Sequence, residues 1–205
     1  MSKAKRRQDL YDFKRARIVA AAEKIFLAQG IEGASLRAIA REAGYTPGAL
    51  YAYYASKEEL YAEILRRSLD RLQAAVRQGA KGKPDKALAG AMRGFWRYYR
   101  DHPEDLSLSM YVQRGLAPKG LTPKLDRELN ERLAAALEVI REQLAALDPG
   151  LSRARLDHHT RTLLSAVMGV LLLAHTGRLK KLGGDPEKLV DHHIALTLAA
   201  IAGRA

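Results

Sequence analysis

The chain has 205 residues, 47% of them hydrophobic and 28% charged, so it can build a core without covalent staples. It contains no cysteine, which excludes disulfides, cysteine-ligated zinc or iron–sulfur sites and thiol nucleophiles. Lys and Arg number 35 against 23 Asp and Glu, and the net charge of +12 is typical of proteins that attract phosphate polymers or anionic membranes. The excess is spread along the whole chain, and a merely soluble basic surface is the alternative interpretation.

The sequence predicts no membrane segment. The longest apolar stretch, residues 163–174, is interrupted by Ser165 and is shorter than the roughly 18 residues that a spanning helix needs. The basic N-terminus, residues 1–7, is followed by no apolar signal segment. We therefore expect a soluble, cytoplasmic protein that does not bind membranes.

The residue pattern predicts an all-α fold. β-Branched residues are few, and no run alternates convincingly between apolar and polar residues. A first helix is expected near residues 9–29, ended by Gly30 as a C-cap glycine. Its apolar stripe, with helical spacing, is Ile18, Ala21, Ala22, Ile25 and Phe26.

Two short helices and a long one follow. Ser35 can cap a second helix that Gly44 stops, and Thr46-Pro47 provides the N-cap and N1 residues of a third. Ser56 and Glu59 form a capping box, each satisfying the other's free N–H, and open a fourth helix to about Gln78. Residues 79–84 (GAKGKP) then break the pattern, in or near a domain boundary. Further helices are expected near residues 85–101, 103–114, 123–147, 152–176 and 185–202.

Three helices joined by a short turn at residues 43–46 describe a helix-turn-helix unit. In such a unit the third helix enters the major groove of DNA. Leu50 and Tyr54, four residues apart, would form its inner face. Its outer face would be Pro47, Gly48, Tyr51 and Tyr53, with small residues that allow a close approach to the bases.

Residues 35–60 (SLRAIAREAGYTPGALYAYYASKEEL) resemble the N-terminal domain of TetR-family bacterial transcription regulators. Residues 18–30 (IVAAAEKIFLAQG) are similar to the first helix of that family, and Gly33 fits its following turn. The resemblance implies two domains with about nine helices in all. Residues 1–60 would form the helix-turn-helix domain, with residues 1–8 as a basic arm, and residues 61–205 a helical effector-binding and dimerisation domain.

The resemblance also implies which residues contact double-stranded DNA. Hydroxyls and cations are the groups that hold phosphates. The outer face of the third helix carries no Arg, Lys, Asn or Gln, so we expect backbone contacts and DNA shape to matter more than usual. The implied DNA-binding residues are Ser35, Arg37, Thr46, Pro47, Gly48, Tyr51, Tyr53 and Lys57.

No catalytic motif occurs in the larger domain, and we expect no enzyme activity, catalytic residue, cofactor or metal. Its aromatic and methionine stripes predict a core, and the resemblance implies a pocket between helices for a partly apolar small-molecule effector. The candidate lining residues are Trp96, Tyr99, Tyr111, Met168 and His175.

The resemblance further implies a homodimer through the two C-terminal helices. Two recognition helices would then lie about 34 Å apart on a palindromic operator. We expect a repressor that its effector releases. The amphipathic stripes assigned to the interface are Leu156, Leu163, Val167, Val170 and Ala174 on one helix and Leu189, Ile194, Leu196, Leu198 and Ile201 on the other.

Two tripeptides leave an alternative open. Asp157-His158-His159 and Asp191-His192-His193 repeat one motif on two helices, and across a dimer they could converge on a metal. The alternative function is a metal-dependent helical hydrolase, although adjacent helical residues point about 100° apart, so one tripeptide cannot hold an ion alone. A third hypothesis is a ligand-binding module whose DNA-binding domain has lost its function.

Overall fold

A computed structural model of the chain describes residues 2–111 and 121–203, without the side chain of Tyr111. Over these residues it contains α-helices and no strand, which confirms the all-α prediction. No helix in the described part is long and apolar enough to cross a membrane. The helices are α1 (Lys3–Gly33), α2 (Leu36–Ala43), α3 (Pro47–Tyr51), α4 (Lys57–Gly79), α5 (Pro84–Asp101), α6 (Pro103–Tyr111), α7 (Pro123–Leu147), α8 (Arg153–His175), α9 (Arg178–Lys181) and α10 (Pro186–Ile201).

The chain divides into two compact units. The first comprises Met1–Ser68 and Glu104–Leu129, and the second comprises Leu69–Pro103 and Asn130–Ala205. Helix α4 therefore contributes its first half to one unit and its second half to the other.

The core of the first unit lies where α1 packs against α2 and α2 against α3. Phe26 of α1 and Tyr61 of α4 are both fully buried and meet edge to face, with ring centroids 4.9 Å apart. The Tyr61 hydroxyl donates a hydrogen bond to the Leu108 carbonyl of α6. These contacts tie α1, α4 and α6, which are distant in sequence, into one unit.

Helix α5 is the central helix of the second unit. Buried residues lie on most of its circumference, as expected for a helix surrounded by others. It packs against α8 and α10, which also pack against each other. An ion pair between Arg93 Nε and Asp191 Oδ1, 2.7 Å apart, links α5 to α10 at the surface.

Helices α4 and α5 cross backbone to backbone within the second unit. A Cβ built on Gly90 would lie 2.1 Å from the Gly79 carbonyl oxygen. One built on Gly94 would lie 2.6 Å from the Ala75 carbonyl oxygen. Small residues spaced four apart on both helices permit this approach, and any side chain at Gly90 would have to separate the helices.

The N-terminal segment differs from the prediction. Helix α1 begins at Lys3 and not near residue 9, because Ser2 caps it by accepting from the Lys5 N–H at 3.3 Å and the residues after Ser2 are good helix formers. Gly30 has φ 71°, a left-handed conformation that interrupts α1 where the sequence predicted its end. A single turn then continues to Gly33.

Two further details correct the sequence-based expectations. Ser56 accepts from the Glu59 N–H at 3.1 Å as predicted, but the Glu59 carboxylate accepts from Ala55 N, at 3.0 Å, and not from Ser56 N. The carboxylate half of the capping box therefore bonds to the residue before the N-cap and not to the N-cap itself. The four-residue helix α9 was not predicted, because it is too short to show a period.

Candidate nucleic-acid interface

Helix α2 begins and ends at the residues that the sequence predicted, and α3 begins at Pro47 as predicted. It ends at Tyr51, before Tyr53 and Tyr54, which the sequence analysis had placed on its two faces. Ser35 Oγ accepts from Ala38 N at 3.2 Å, and Thr46 Oγ1 accepts from Ala49 N at 3.3 Å. Gly44, with φ 75°, ends α2 in the left-handed conformation that a glycine adopts without strain. Each capping hydroxyl accepts one bond here and keeps its own proton for another acceptor.

The inner face of the α3 region packs against the first unit, and the outer face of α3 is exposed to solvent. Leu50 is fully buried and Tyr54 is 6% exposed, as predicted for the inner face. On the outer face Tyr51 is 57% exposed, and Pro47 and Gly48 are exposed as well. A Cβ added at Gly48 would meet nothing within 4 Å, so the space in front of this residue is open.

Arg15 of α1 fixes the back of α3, a role that the sequence did not reveal. Its Nε donates to the Tyr54 hydroxyl at 3.0 Å, and its Nη2 lies 2.9 Å from Glu63 Oε1 of α4. Burial raises the pKa of Tyr54 and outweighs the opposing effect of Arg15. Tyr54 therefore stays neutral and accepts a hydrogen bond from Arg15, which is also ion-paired with Glu63.

Arg17 holds the turn between α2 and α3. Its Nη2 donates to the Ala43 carbonyl at 3.1 Å, and its guanidinium lies 5.5 Å from the centroid of the Tyr45 ring. The donor and acceptor are separated by 26 residues, so no local pattern could have indicated this contact.

The remaining predicted DNA-binding residues fall into two groups. Ser35 and Arg37 are exposed. Tyr53 is half-buried and stacks on Tyr11 of α1, with ring centroids 5.0 Å apart. Lys57 is also half-buried, and its Nζ donates to the carbonyls of Glu32 at 3.2 Å and Ala34 at 3.1 Å, so two of its three N–H bonds support the fold.

The predicted effector residues occupy different environments. Trp96 and Tyr99 are buried in α5, Met168 is half-buried, and His175 is exposed at the end of α8. The side chain of Tyr111 lies outside the described residues. A cleft of about 400 Å³ in the second unit is lined by α4, α5 and His102, and by none of the four described candidates.

Among the described residues of one subunit, the two Asp-His-His tripeptides do not bring three potential ligands close enough to hold an ion, and a site shared across a dimer stays a hypothesis. Asp157 lies 3.8 Å from Arg141 Nη1 and 3.9 Å from Arg161 Nη2, and Asp191 pairs with Arg93. Burial, followed by nearby Arg155 and His158, lowers the pKa of His159. The aspartate of each tripeptide is thus close to at least one arginine, and His159 is partly buried.

The stripe assigned to the dimer interface on α8 is mainly interior to the subunit. Leu163, Val167 and Val170 are at most 5% exposed within the single chain, and Ile194 of α10 is 2% exposed. These side chains already pack inside the second unit, because the helical period marks an apolar face without showing what covers it. The large apolar residues that remain exposed on these helices are Leu172, at 45%, and Leu196, at 53%.

A short helix with a buried back and an open face, preceded by a capped helix and a glycine turn, defines a helix-turn-helix DNA-binding protein. Residues 18–64 match the family of bacterial regulatory proteins, tetR family, and residues 87–197 match the tetracyclin repressor-like C-terminal domain. The chain belongs to the TetR family and is a DNA-binding transcriptional regulator.

Known proteins agree with this assignment. The chain is 33% identical over 89 residues to the transcriptional activator FasR of Mycolicibacterium smegmatis, covering 42% of this chain and 41% of FasR. It is 30% identical over 100 residues to the transcriptional repressor NicS of Pseudomonas putida, covering 47% of each. These matches thus span less than half of either relative. The regulatory protein SCO4313 shares the fold, with a TM-score of 0.76 at 22% identity, over 97% of this chain and 100% of that one.

Proposed function

We propose that the protein is a ligand-responsive repressor that binds a palindromic operator as a homodimer and is released by a small-molecule effector. One observation carries the DNA-binding part of this proposal. The outer face of α3 is open at Pro47, Gly48 and Tyr51, while Leu50 and Tyr54 hold its back against the unit.

The chemistry of that face favours phosphate contacts and close packing over bidentate base contacts. The hydroxyl protons of Thr46 and Tyr51 are available to phosphate or base oxygens, and Arg37 supplies an exposed cation. Gly48 leaves room for thymine methyl groups to approach the helix. We therefore expect the operator to be recognised largely through its backbone and shape.

Dimerisation supplies the second half of the recognition. A two-fold dimer would place two copies of α3 about one DNA turn apart, roughly 34 Å, and would require an inverted repeat. The effector would release the protein from its operator if it binds more tightly to a conformation in which the two copies of α3 are no longer one DNA turn apart. The relatives include both an activator and a repressor by name, and repression is the direction proposed here.

The test is fluorescence anisotropy with DNA from upstream of the protein's own gene, against a scrambled duplex of the same length. Tyr51→Phe removes one hydroxyl, and because hydrogen bonds to charged groups are strong, affinity should fall about 10-fold or more. Arg37→Ala should weaken binding as well. The matched control is Lys180→Ala, which removes an exposed cation from the second unit and should leave affinity unchanged.

The direction of regulation has its own readout. A reporter driven by the upstream DNA should be more active when the gene is deleted, and lower reporter activity on deletion would show an activator. If Tyr51→Phe and Arg37→Ala both bind as tightly as the unmodified protein, α3 does not read DNA as proposed.

A further inference from the structure

Trp96 has a buried polar atom with no partner. It is the single tryptophan of the chain and is 2% exposed on the central helix α5. Its indole Nε1 is the one buried side-chain nitrogen or oxygen in the described residues without a hydrogen-bond partner. Because buried polar groups are nearly always paired, this N–H is a donor whose acceptor is missing.

The other buried polar side chains of the second unit are already satisfied. The Thr160 hydroxyl donates to the Leu156 carbonyl at 2.8 Å, and the Thr197 hydroxyl donates to the His193 carbonyl at 3.0 Å. No charged side chain is buried in the described part of this unit. Its interior therefore offers one free donor in apolar surroundings.

The neighbours of Trp96 on α5 reinforce that chemistry. Met92 and Tyr99 lie one turn away on the same side of the helix and are buried. The Tyr99 ring is itself engaged edge to face with Phe95, at 5.3 Å between centroids. Trp96 thus lies on a buried face of α5 that also carries a methionine and a tyrosine, and such residues commonly line apolar ligand sites.

We propose that the Trp96 indole N–H donates a hydrogen bond to a neutral acceptor oxygen, such as that of a ketone, ester or ether, on a mainly apolar effector. This inference rests on the proposed effector response and specifies its ligand class. A carboxylate would bring a charge into an interior that, among the described side chains, holds no buried cation to neutralise it.

The first test needs no ligand. Because Trp96 is the single tryptophan, a nitrogen–proton correlation spectrum shows one indole signal that belongs to it. In the ligand-free protein this proton should show no magnetisation transfer from internal water, and its chemical shift should not be moved downfield by a hydrogen bond. A bonded indole proton in the free protein would mean that the donor is already satisfied and would overturn the proposal.

The second test compares three naphthalene probes that differ in the acceptor and adds one aliphatic ketone. Acetylnaphthalene and hexyl methyl ketone carry a neutral carbonyl oxygen, ethylnaphthalene carries no acceptor, and naphthoate carries a charge. Either ketone should move the indole proton signal downfield in a saturable titration, whereas ethylnaphthalene and naphthoate should not. A downfield shift with naphthoate, or no saturable shift with either ketone, would overturn the proposal.

The variant test isolates the N–H. Replacing the single tryptophan by benzothienylalanine keeps its shape and puts sulfur where the N–H was, so affinity for the effective ketone should fall about 3- to 10-fold. Trp96→Phe should reduce it further, because the smaller ring also loses packing. Equal affinity of the benzothienylalanine protein and the unmodified protein would show that the N–H is not used.

Anisotropy with the upstream DNA separates the two proposals. If the benzothienylalanine protein binds that DNA normally but its ketone affinity is unchanged, the ligand class is wrong and the regulator assignment stands. If the unmodified protein fails to bind the DNA, the proposed operator function is wrong whatever the indole signal does.

Discussion

A substitution at Gly48 should change DNA binding by α3 without destabilising the fold. A Cβ at this position meets nothing in the protein within 4 Å, and alanine is the better helix former by about 0.5–1 kcal/mol. Gly48→Ala should therefore leave thermal stability equal or slightly higher. The added methyl group occupies the space through which the helix approaches the bases, so operator affinity should fall. Thermal unfolding and anisotropy measured on the same preparation check both outcomes, and unchanged affinity would show that close approach at this residue is unnecessary.

His159 gives the second unit a pH-dependent stability. Burial lowers the pKa of its imidazole, so the folded state favours the neutral form more than the unfolded chain does. The resulting stabilisation is fully present above the unfolded pKa of about 6.5 and is lost as pH falls through the lowered folded pKa. His159→Gln should therefore show a smaller decrease in Tm between about pH 8 and about pH 5 than the unmodified protein. His192→Gln, at an exposed position on α10 that does not contribute to the pKa of His159, is the control. Identical pH profiles for the unmodified and His159→Gln proteins would contradict this account.

At the scale of elements, the α4–α5 crossing depends on having no side chain at Gly90. The Cβ of an alanine would lie 2.1 Å from the Gly79 carbonyl oxygen, and a backbone carbonyl cannot move aside as a side chain can. Gly90→Ala should destabilise the protein by at least about 2 kcal/mol, despite its better helix propensity. The corresponding decrease in Tm is about 4–8 °C. Gly48→Ala is the matched control, and a Tm for Gly90→Ala equal to that of the unmodified protein would show that the crossing can widen freely.

The first turns of α1 are exposed to solvent and basic, which is unusual for the N-terminal end of a helix. Residues 2–13 are all exposed, and the first turn contains no acidic residue to complement the positive end of the helix dipole. Lys3, Lys5, Arg6 and Arg7 lie at that end. We predict that alanine at all four weakens operator binding and reduces the slope of log K against log salt by up to about 3 to 4, because fewer counterions are released. Lys180→Ala combined with Lys181→Ala is the control, and an unchanged slope would exclude this segment from the DNA interface.

Local signals made the boundaries of α2 and the start of α3 predictable, and distant contacts did not show in the sequence. Ser35, Gly44 and Thr46 act within four residues of their own position, so their capping roles could be deduced directly. The contact of Arg15 with Tyr54 spans 39 residues and has no local signature. The same limit applies to α8, whose apolar period is visible in the sequence although the element that covers it is not. Exposure of α3 was predictable because its inner and outer faces differ within a single turn.

At the scale of the whole molecule, the assembly should depend on apolar residues that the single chain leaves exposed. Leu172 of α8 is 45% exposed, whereas the stripe with Val167 at its centre is used inside the subunit. If α8 and α10 form the dimer interface, Leu172→Glu buries a charge there and should shift the protein toward monomer. Sedimentation or light scattering at micromolar concentration measures this. Leu182→Glu makes the same change at a leucine that is 76% exposed outside these helices, and it should leave the dimer intact. Equal dimer fractions for the two variants would place the interface elsewhere.

The contact between Gly79 and Gly90 also limits how α4 and α5 can move against each other. The touching atoms are main-chain atoms, which have no rotamers to change, so the two axes cannot come closer. A second close approach, between Gly94 and the Ala75 carbonyl oxygen, lies one turn further along both helices. A rotation about the first contact would separate or overlap this second pair, so the two contacts together fix both the distance and the crossing angle of α4 and α5.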